Sequence, residues 1–400
     1  MVSRLLLRYP YLIWLLGFLM PVLYIAYLLN LNRLLLYLRK ANITMLLFLC
    51  FTLVQVLSAL LSISYSFFTP ERFLGILHNI IAFTFLFLGY SFMQDKKLNL
   101  YIKRYSFRVY LFTFLIILAA TFYSLYFNRE LILPSVFSLA GIDSKFTEVK
   151  LNGLDWYMIS NFPRTQVLGI YPNSTGLLFI FLYVIVMSLN FYEFTGKKKV
   201  LVTAMLVVIC FLTGSRTFWL LSASFFLLLF IRNKSRLSLI AFFTPFLAVA
   251  GLVAIEYLLT LRPGSNEARS MIYEGSFNFM MDVNPLFGLG IKPYLPEVIG
   301  VPFPLGSHST IWGYVVKCGM VGAVFMLVLV GVPIFRYMEM LVLQLFSKNK
   351  FNEQKFFILS SVVIVIIALG MEDLDAFEIL PLYFGMIVWI YDNRGALQHE

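Results

Sequence analysis

Apolar residues along this chain come in runs of about twenty, the length an α-helix needs to cross the hydrocarbon core of a bilayer. The runs fall at about 11–29, 43–63, 73–93, 107–127, 171–190, 198–213, 217–231, 237–259, 309–335, 355–371 and 376–391, which predicts about eleven spans. Basic side chains gather in every second connection. Arg33, Arg39 and Lys40 follow the first span, and Lys96, Lys97, Lys103, Arg104 and Arg108 follow the third. Lys197 to Lys199, then Arg232, Lys234 and Arg236, then Lys348, Lys350 and Lys355 continue the series. The intervening connections are neutral or acidic, and 372–378 carries Glu372, Asp373, Asp375 and Glu378 with no base. Positive charge is retained on the cytoplasmic side, so the basic loops are expected inside and the others outside. Arg4 and Arg8 pull the other way at the N-terminus. Two short segments around Pro10 and Pro21 would give twelve spans with both ends inside.

Two outer segments are too long to be turns, 128–170 and 260–308. Loops of that length in a compact protein are usually functional or disordered. Within the second, SNEARSMIYEGSFNFMMD reads as a helix opened by Ser265 as cap, with Glu267 in its first turn. The whole of 1–400 is then expected to be one all-α, polytopic membrane bundle with a long, partly helical external loop.

Composition agrees. Sixty per cent of the 400 residues are hydrophobic and 13% are charged, with a mean hydropathy of +0.86. A soluble domain is closer to half apolar and a quarter charged, roughly. No polar stretch reaches domain size, and the first apolar run lacks a small-residue cleavage site, so it is expected to stay as a helix. The net charge of +11 reports topology, and no nucleic-acid partner is implied. Cys50, Cys210 and Cys318 all lie in apolar runs, where they read as small core residues. Gln55 and His78 stand within spans and are expected to be satisfied helix–helix contacts.

Four polar residues stand at outer span ends: Arg164, Arg216, Arg269 and His308. A lone arginine at a span end commonly snorkels to lipid head groups. Arg216 fits that reading poorly, because a tight Gly-Ser-Arg turn fixes its direction on the side where positive charge is disfavoured.

The surroundings of these four resemble the O-antigen ligase and polymerase superfamily of bacterial membrane glycosyltransferases. RTQVLGIYPNSTG resembles the Arg…Pro-Asn start of a span, and LTGSRTFWLL resembles the Thr-Gly-Ser-Arg turn. ARSMIYEGSFNFMMDVNPLFGLG resembles the Arg…aromatic…Pro-Leu-Phe-Gly-x-Gly stretch, with Tyr273 in the aromatic place. HSTIWGYVVKCGMVG resembles the His-Asn…Gly-x-x-Gly stretch, with Ser309 where asparagine is usual. The likeness covers roughly 160–325. It implies a GT-C-like fold and transfer of glycan from a polyprenyl diphosphate on the outer face of the cytoplasmic membrane of a bacterium.

By that resemblance, His308, Arg216 and Arg269 are the expected catalytic residues, and Arg164, Asn173, Ser215, Tyr273 and Glu274 the expected substrate ligands. The chemistry suits the residue types. The leaving diphosphate gathers negative charge as the C1–O bond breaks, and arginine presents a permanent, forked positive group to phosphate oxygens. Arginines could stabilise that charge without a metal, and no metal or cofactor is expected. His308 has a suitable intrinsic pKa to take the acceptor hydroxyl's proton, with Glu274 or Glu267 as alternatives. Direct displacement would invert the anomeric centre. Expected partners are the polyprenyl-diphosphate-linked oligosaccharide donor, a glycan acceptor, membrane lipids and a chain-length regulator protein. A polymerase of repeat units is favoured over a ligase moving finished glycan to a lipid core or protein. A lipid-linked oligosaccharide flippase is the other alternative, but transporters place functional polar groups near the bilayer midplane.

Overall fold

The computed structural model describes residues 43–65, 73–127, 131–134, 148–157, 162–167, 172–214, 216–231, 263–293, 295–300, 304–307, 309–346, 351–372 and 380–394. The expected spans at 11–29 and 237–259 lie outside these residues, as does the question of the N-terminus. The described helices are α1 (Ile43–Leu61), α2 (Phe73–Gln94), α3 (Lys96–Phe127), α4 (Pro172–Leu189), α5 (Gly196–Leu212) and α6 (Arg216–Leu228). Then come α7 (Pro263–Val283), a short α8 (Pro296–Ile299), α9 (Thr310–Phe346), α10 (Glu353–Met371) and α11 (Leu380–Asp392). All but the short α8 follow an apolar run or the loop helix read from sequence. Among the described residues, four helical stretches are long and apolar enough to cross a membrane: Leu46–Ser64, Lys96–Phe127, Thr310–Gln344 and Glu353–Met371.

Helix α4 is the centre of the bundle. It is apolar all round, which suits a helix with no free face, and residues 174–190 are all buried. Tyr110 donates from α3 to the Val202 carbonyl of α5 (2.8 Å), and Tyr183 of α4 bonds Thr203 (2.8 Å), so these two buried tyrosine hydroxyls are satisfied where they sit. Outer helices instead show large apolar side chains, such as Phe112 at 66% and Leu327 at 72% exposure, the surface hydrocarbon would cover.

Helices α2 and α11 meet backbone to backbone. A Cβ added at Gly89 would stand 1.9 Å from the Leu382 carbonyl oxygen, and one at Gly385 would stand 2.0 Å from that of Leu86. Small residues at such a crossing let two helices approach where no larger side chain fits.

The two ends of the bundle differ. At one, Lys103 pairs with Glu193 (2.9 Å), Lys198 lies over the rings of Phe107 and Phe194, and Gln354 donates to the Ser188 carbonyl (3.0 Å). Thr44 and Tyr90 both donate to Asp392 there (2.7 and 3.1 Å). Among the described residues, Lys103 and Lys198 of two basic connections thus lie at this end.

Four expectations change. Within the segment 128–170 the described residues form an antiparallel sheet, in the order β1 (Leu131–Pro134), β2 (Glu148–Tyr157), β3 (Phe162–Val167). Helix α7 begins at Pro263, two residues before the expected cap, because proline's fixed φ suits the first turn of a helix. Glu267 consequently falls beyond the first turn. Gln55 is buried, yet both amide heteroatoms lack a hydrogen-bond partner among the described residues, so it is not the satisfied contact expected. His78's side chain lies outside the described set. Cys210 and Cys318 are buried as expected, whereas Cys50 is exposed on α1.

Helix α9 is broken. Gly319 has φ 62° and ψ −155°, a conformation open essentially to glycine alone. The break frees backbone groups in the middle of an apolar helix, and the Pro-Leu-Phe-Gly-Leu-Gly turn at 285–290 satisfies them. Met320 and Val321 donate to the carbonyls of Pro285 and Leu286 (2.8 and 3.1 Å), and Leu289 and Gly290 donate to those of Val316 and Lys317 (2.9 and 2.8 Å). The Ser58 hydroxyl of α1 donates to the Phe287 and Lys317 carbonyls. Tyr65 donates to the Gly288 carbonyl (3.2 Å) and accepts from Asn284 (2.8 Å). Irregular backbone at membrane depth is tolerated only when protein pairs it in this way. Lys317, beside the break, is buried with its ammonium 4.9 Å from the Tyr314 ring centroid.

Candidate active site

The 285–290 turn anchors α7 against the first turn of α9. Tyr273 and Phe277, one turn apart on α7, pack on Trp312 of α9 with centroids 6.0 and 5.8 Å away. Ser276 accepts from the Gly306 amide (2.8 Å), and Leu305 donates to the Pro293 carbonyl (2.8 Å). Ser309 caps α9 by accepting from the Trp312 amide (3.1 Å), satisfying one of the helix's open N–H groups. Ser309 thus acts as a backbone cap in the place where the resemblance expects asparagine. The flanks of His308 are fixed by these contacts, while His308 itself lies outside the described residues.

Arg269 sits one turn before Tyr273 and reaches Glu372, the residue that ends α10. Its Nη2 stands 3.9 Å from the Glu372 Oε1, with the arginine side chain 26% and the glutamate side chain 10% exposed. The same Oε1 accepts a short hydrogen bond from Nδ2 of Asn173, the second residue of α4. The main-chain carbonyl of Glu372 accepts from both the amide and the hydroxyl of Thr310 (3.0 and 2.6 Å). Four separate stretches of chain therefore meet at one glutamate: the start of α4, the loop helix α7, the start of α9 and the end of α10.

Two more of the expected residues are placed by backbone. Gly176, one turn into α4, lies so close to α6 that an added Cβ would stand 2.8 Å from the Phe218 ring. Phe218 is two residues past Arg216, so the start of α6 abuts the start of α4. Arg164 lies on β3 opposite Asp155 of β2, and β3 packs against α4. The side chains of Arg164 and Arg216, and all of Ser215, lie outside the described set. Glu274 is exposed and takes no part in the Glu372 contacts described above.

Sequence reasoning thus brought Asn173, Arg269 and Tyr273 to one end of the bundle but passed over Glu372. The signal was present: Glu372 opens the stretch 372–378, which has four acids and no base. Asp373 and Asp375 follow it at Asp-x-Asp spacing, a pattern that can hold a metal–diphosphate complex, and they lie outside the described residues. Among the described residues, no group of three His, Cys, Asp or Glu side chains is placed to hold a metal.

No protein-family profile, curated protein or solved structure matches the chain.

Proposed function

We propose that the protein is a membrane glycosyltransferase that takes glycan from a polyprenyl-diphosphate donor and passes it to a sugar hydroxyl at the non-basic end of the bundle. The observation that carries this reading is the meeting of Arg269, Asn173 and Thr310 at Glu372, with the start of α6, and so Arg216, packed beside α4. A lipid diphosphate joins an apolar chain to a compact anion at the water edge. Helices long enough to span a bilayer, with Arg269 and the backbone positions of Arg164 and Arg216 at one end, suit that shape. Spans beyond the four stretches named above, and a cytoplasmic location for the basic end, belong to this proposal, as does polymerisation of repeat units in preference to transfer of finished glycan to a lipid core or protein.

In the proposed reaction the acceptor oxygen attacks C1 of the donor sugar and the C1–O bond to the diphosphate breaks. Arg216 and Arg269 face the charge that develops on the departing oxygen. His308 takes the acceptor proton, and the displacement inverts C1.

The test is Arg216→Lys in purified protein whose expression and melting temperature match the parent. Lysine keeps the charge but loses the planar fork that holds two phosphate oxygens. Losing one preorganised charge-stabilising donor costs roughly a hundredfold to a thousandfold in turnover, so an inactive, well-folded variant is expected. Near-normal turnover would return Arg216 to head-group snorkelling and remove it from the site.

One observation favours a transporter instead: the break in α9 with Lys317 buried beside it, since discontinuous helices line the substrate paths of many transporters. Movement of intact lipid-linked glycan across vesicles, without release of lipid diphosphate, would select that reading.

A further inference from the structure

The ion pair between Arg269 and Glu372 is longer than a charge-assisted hydrogen bond. Charge-assisted N–H···O bonds run at about 2.7–2.9 Å, and this separation is 3.9 Å. The oxygen facing the arginine is already held from its other side by Asn173. Glu372 is thus kept near Arg269 and also kept from closing on it. Its main chain is pinned independently by Thr310, so changes to the side chain leave the joint between α9 and α10 in place.

We infer that Glu372 is a resident carboxylate which stands in for substrate phosphate at Arg269 in the empty site, with Asn173 setting how strongly it competes. This rests on the reading of Arg269 as a phosphate ligand and adds a release device to it. An incoming diphosphate displaces from Arg269 a carboxylate that stands 3.9 Å away, beyond charge-assisted hydrogen-bond length. After the C1–O bond breaks, the lipid diphosphate carries more negative charge. A fixed carboxylate beside it opposes that charge and offers Arg269 a replacement partner as the product leaves. Glu372 touches no reacting atom in this scheme; it is a positioning residue acting through Arg269.

Four variants of the full-length protein in lipid nanodiscs test it, with inorganic diphosphate as the probe and calorimetric affinity as the readout. Glu372→Gln keeps an acceptor for Asn173 and removes the competing charge. It is expected to bind diphosphate about fivefold to tenfold more tightly than the parent while turning over more slowly, because the product is retained. Asn173→Ala frees the carboxylate to close on Arg269 and is expected to weaken diphosphate binding. In the double variant the Asn173→Ala effect should vanish, since there is no charge left to release. A scaffold-only role for Glu372 moves both single variants towards weaker binding, and that outcome, or no change in Glu372→Gln, overturns the inference. If the parent binds diphosphate through Arg269, shown by loss in Arg269→Gln, only the release device falls. If the folded parent does not bind diphosphate at all, the phosphate reading of Arg269 falls with it.

Discussion

Replacing Gly319 by alanine should detach the 285–290 turn from α9, and the size of the effect follows from two costs. The first is conformational: φ 62° with ψ −155° is essentially a glycine-only region, and placing a side chain there costs about 1–3 kcal/mol. The second is steric, because the new methyl would stand 2.5 Å from the Leu286 carbonyl oxygen and 2.6 Å from the Gly288 nitrogen. The 285–290 turn must move away, loosening the four main-chain bonds it makes to Val316, Lys317, Met320 and Val321. At roughly 1 kcal/mol net for each bond, even half of them lost brings the total near 3 kcal/mol. A change of that size raises the local opening constant by roughly a hundredfold. Hydrogen exchange at the amides of Leu289, Gly290, Met320 and Val321 reads it directly. Gly331→Ala on the same helix is the control, since nothing lies within 4 Å of a Cβ there, and it should leave those amides unchanged. Arg269 rides on α7, which runs into this turn, so turnover should fall with protection. Unchanged exchange in Gly319→Ala would show that the turn is not what seals the break.

Gly385→Val should destabilise the bundle strongly, because its Cβ would overlap the Leu86 carbonyl oxygen at 2.0 Å; a melting temperature equal to the parent's would refute the close α2–α11 crossing. Turnover should persist in excess EDTA if arginines alone carry the diphosphate charge. Loss of activity that Mg²⁺ or Mn²⁺ restores would move part of that work to Asp373 and Asp375.

Much of the architecture could be read from the chain because helix length and bilayer thickness share one scale. Runs such as 43–63 and 355–371 reappear as α1 and α10 with ends shifted by only a few residues. The kink and its plug were visible as residues, Gly319 and the Pro-Leu-Phe-Gly-Leu-Gly turn, but not as a pair, since nothing local says that one fills the other. The sheet at 131–167 escaped notice because β1 and β3 are short and Gly153 interrupts, in the longer β2, the brief alternation of Val149-Lys150-Leu151-Asn152. Glu372 escaped for a different reason. Its partners lie far off in sequence, Asn173 at a separation of 199 residues, and convergence of that kind is a product of packing and not of local pattern. Gln55 shows the reverse error: burial followed from its run, whereas hydrogen-bond satisfaction depends on neighbours the run does not specify.

The central claim is that this chain breaks the bond between a sugar and a lipid diphosphate. Purified protein should be incubated with a polyprenyl-diphosphate-linked repeat unit and a glycan acceptor, and the products resolved by size and by the configuration at C1. The expected result is free lipid diphosphate together with glycan inverted at C1, as a ladder of lengths for a polymerase or a single transfer for a ligase. Intact donor after prolonged incubation with folded protein and competent acceptor would contradict the account.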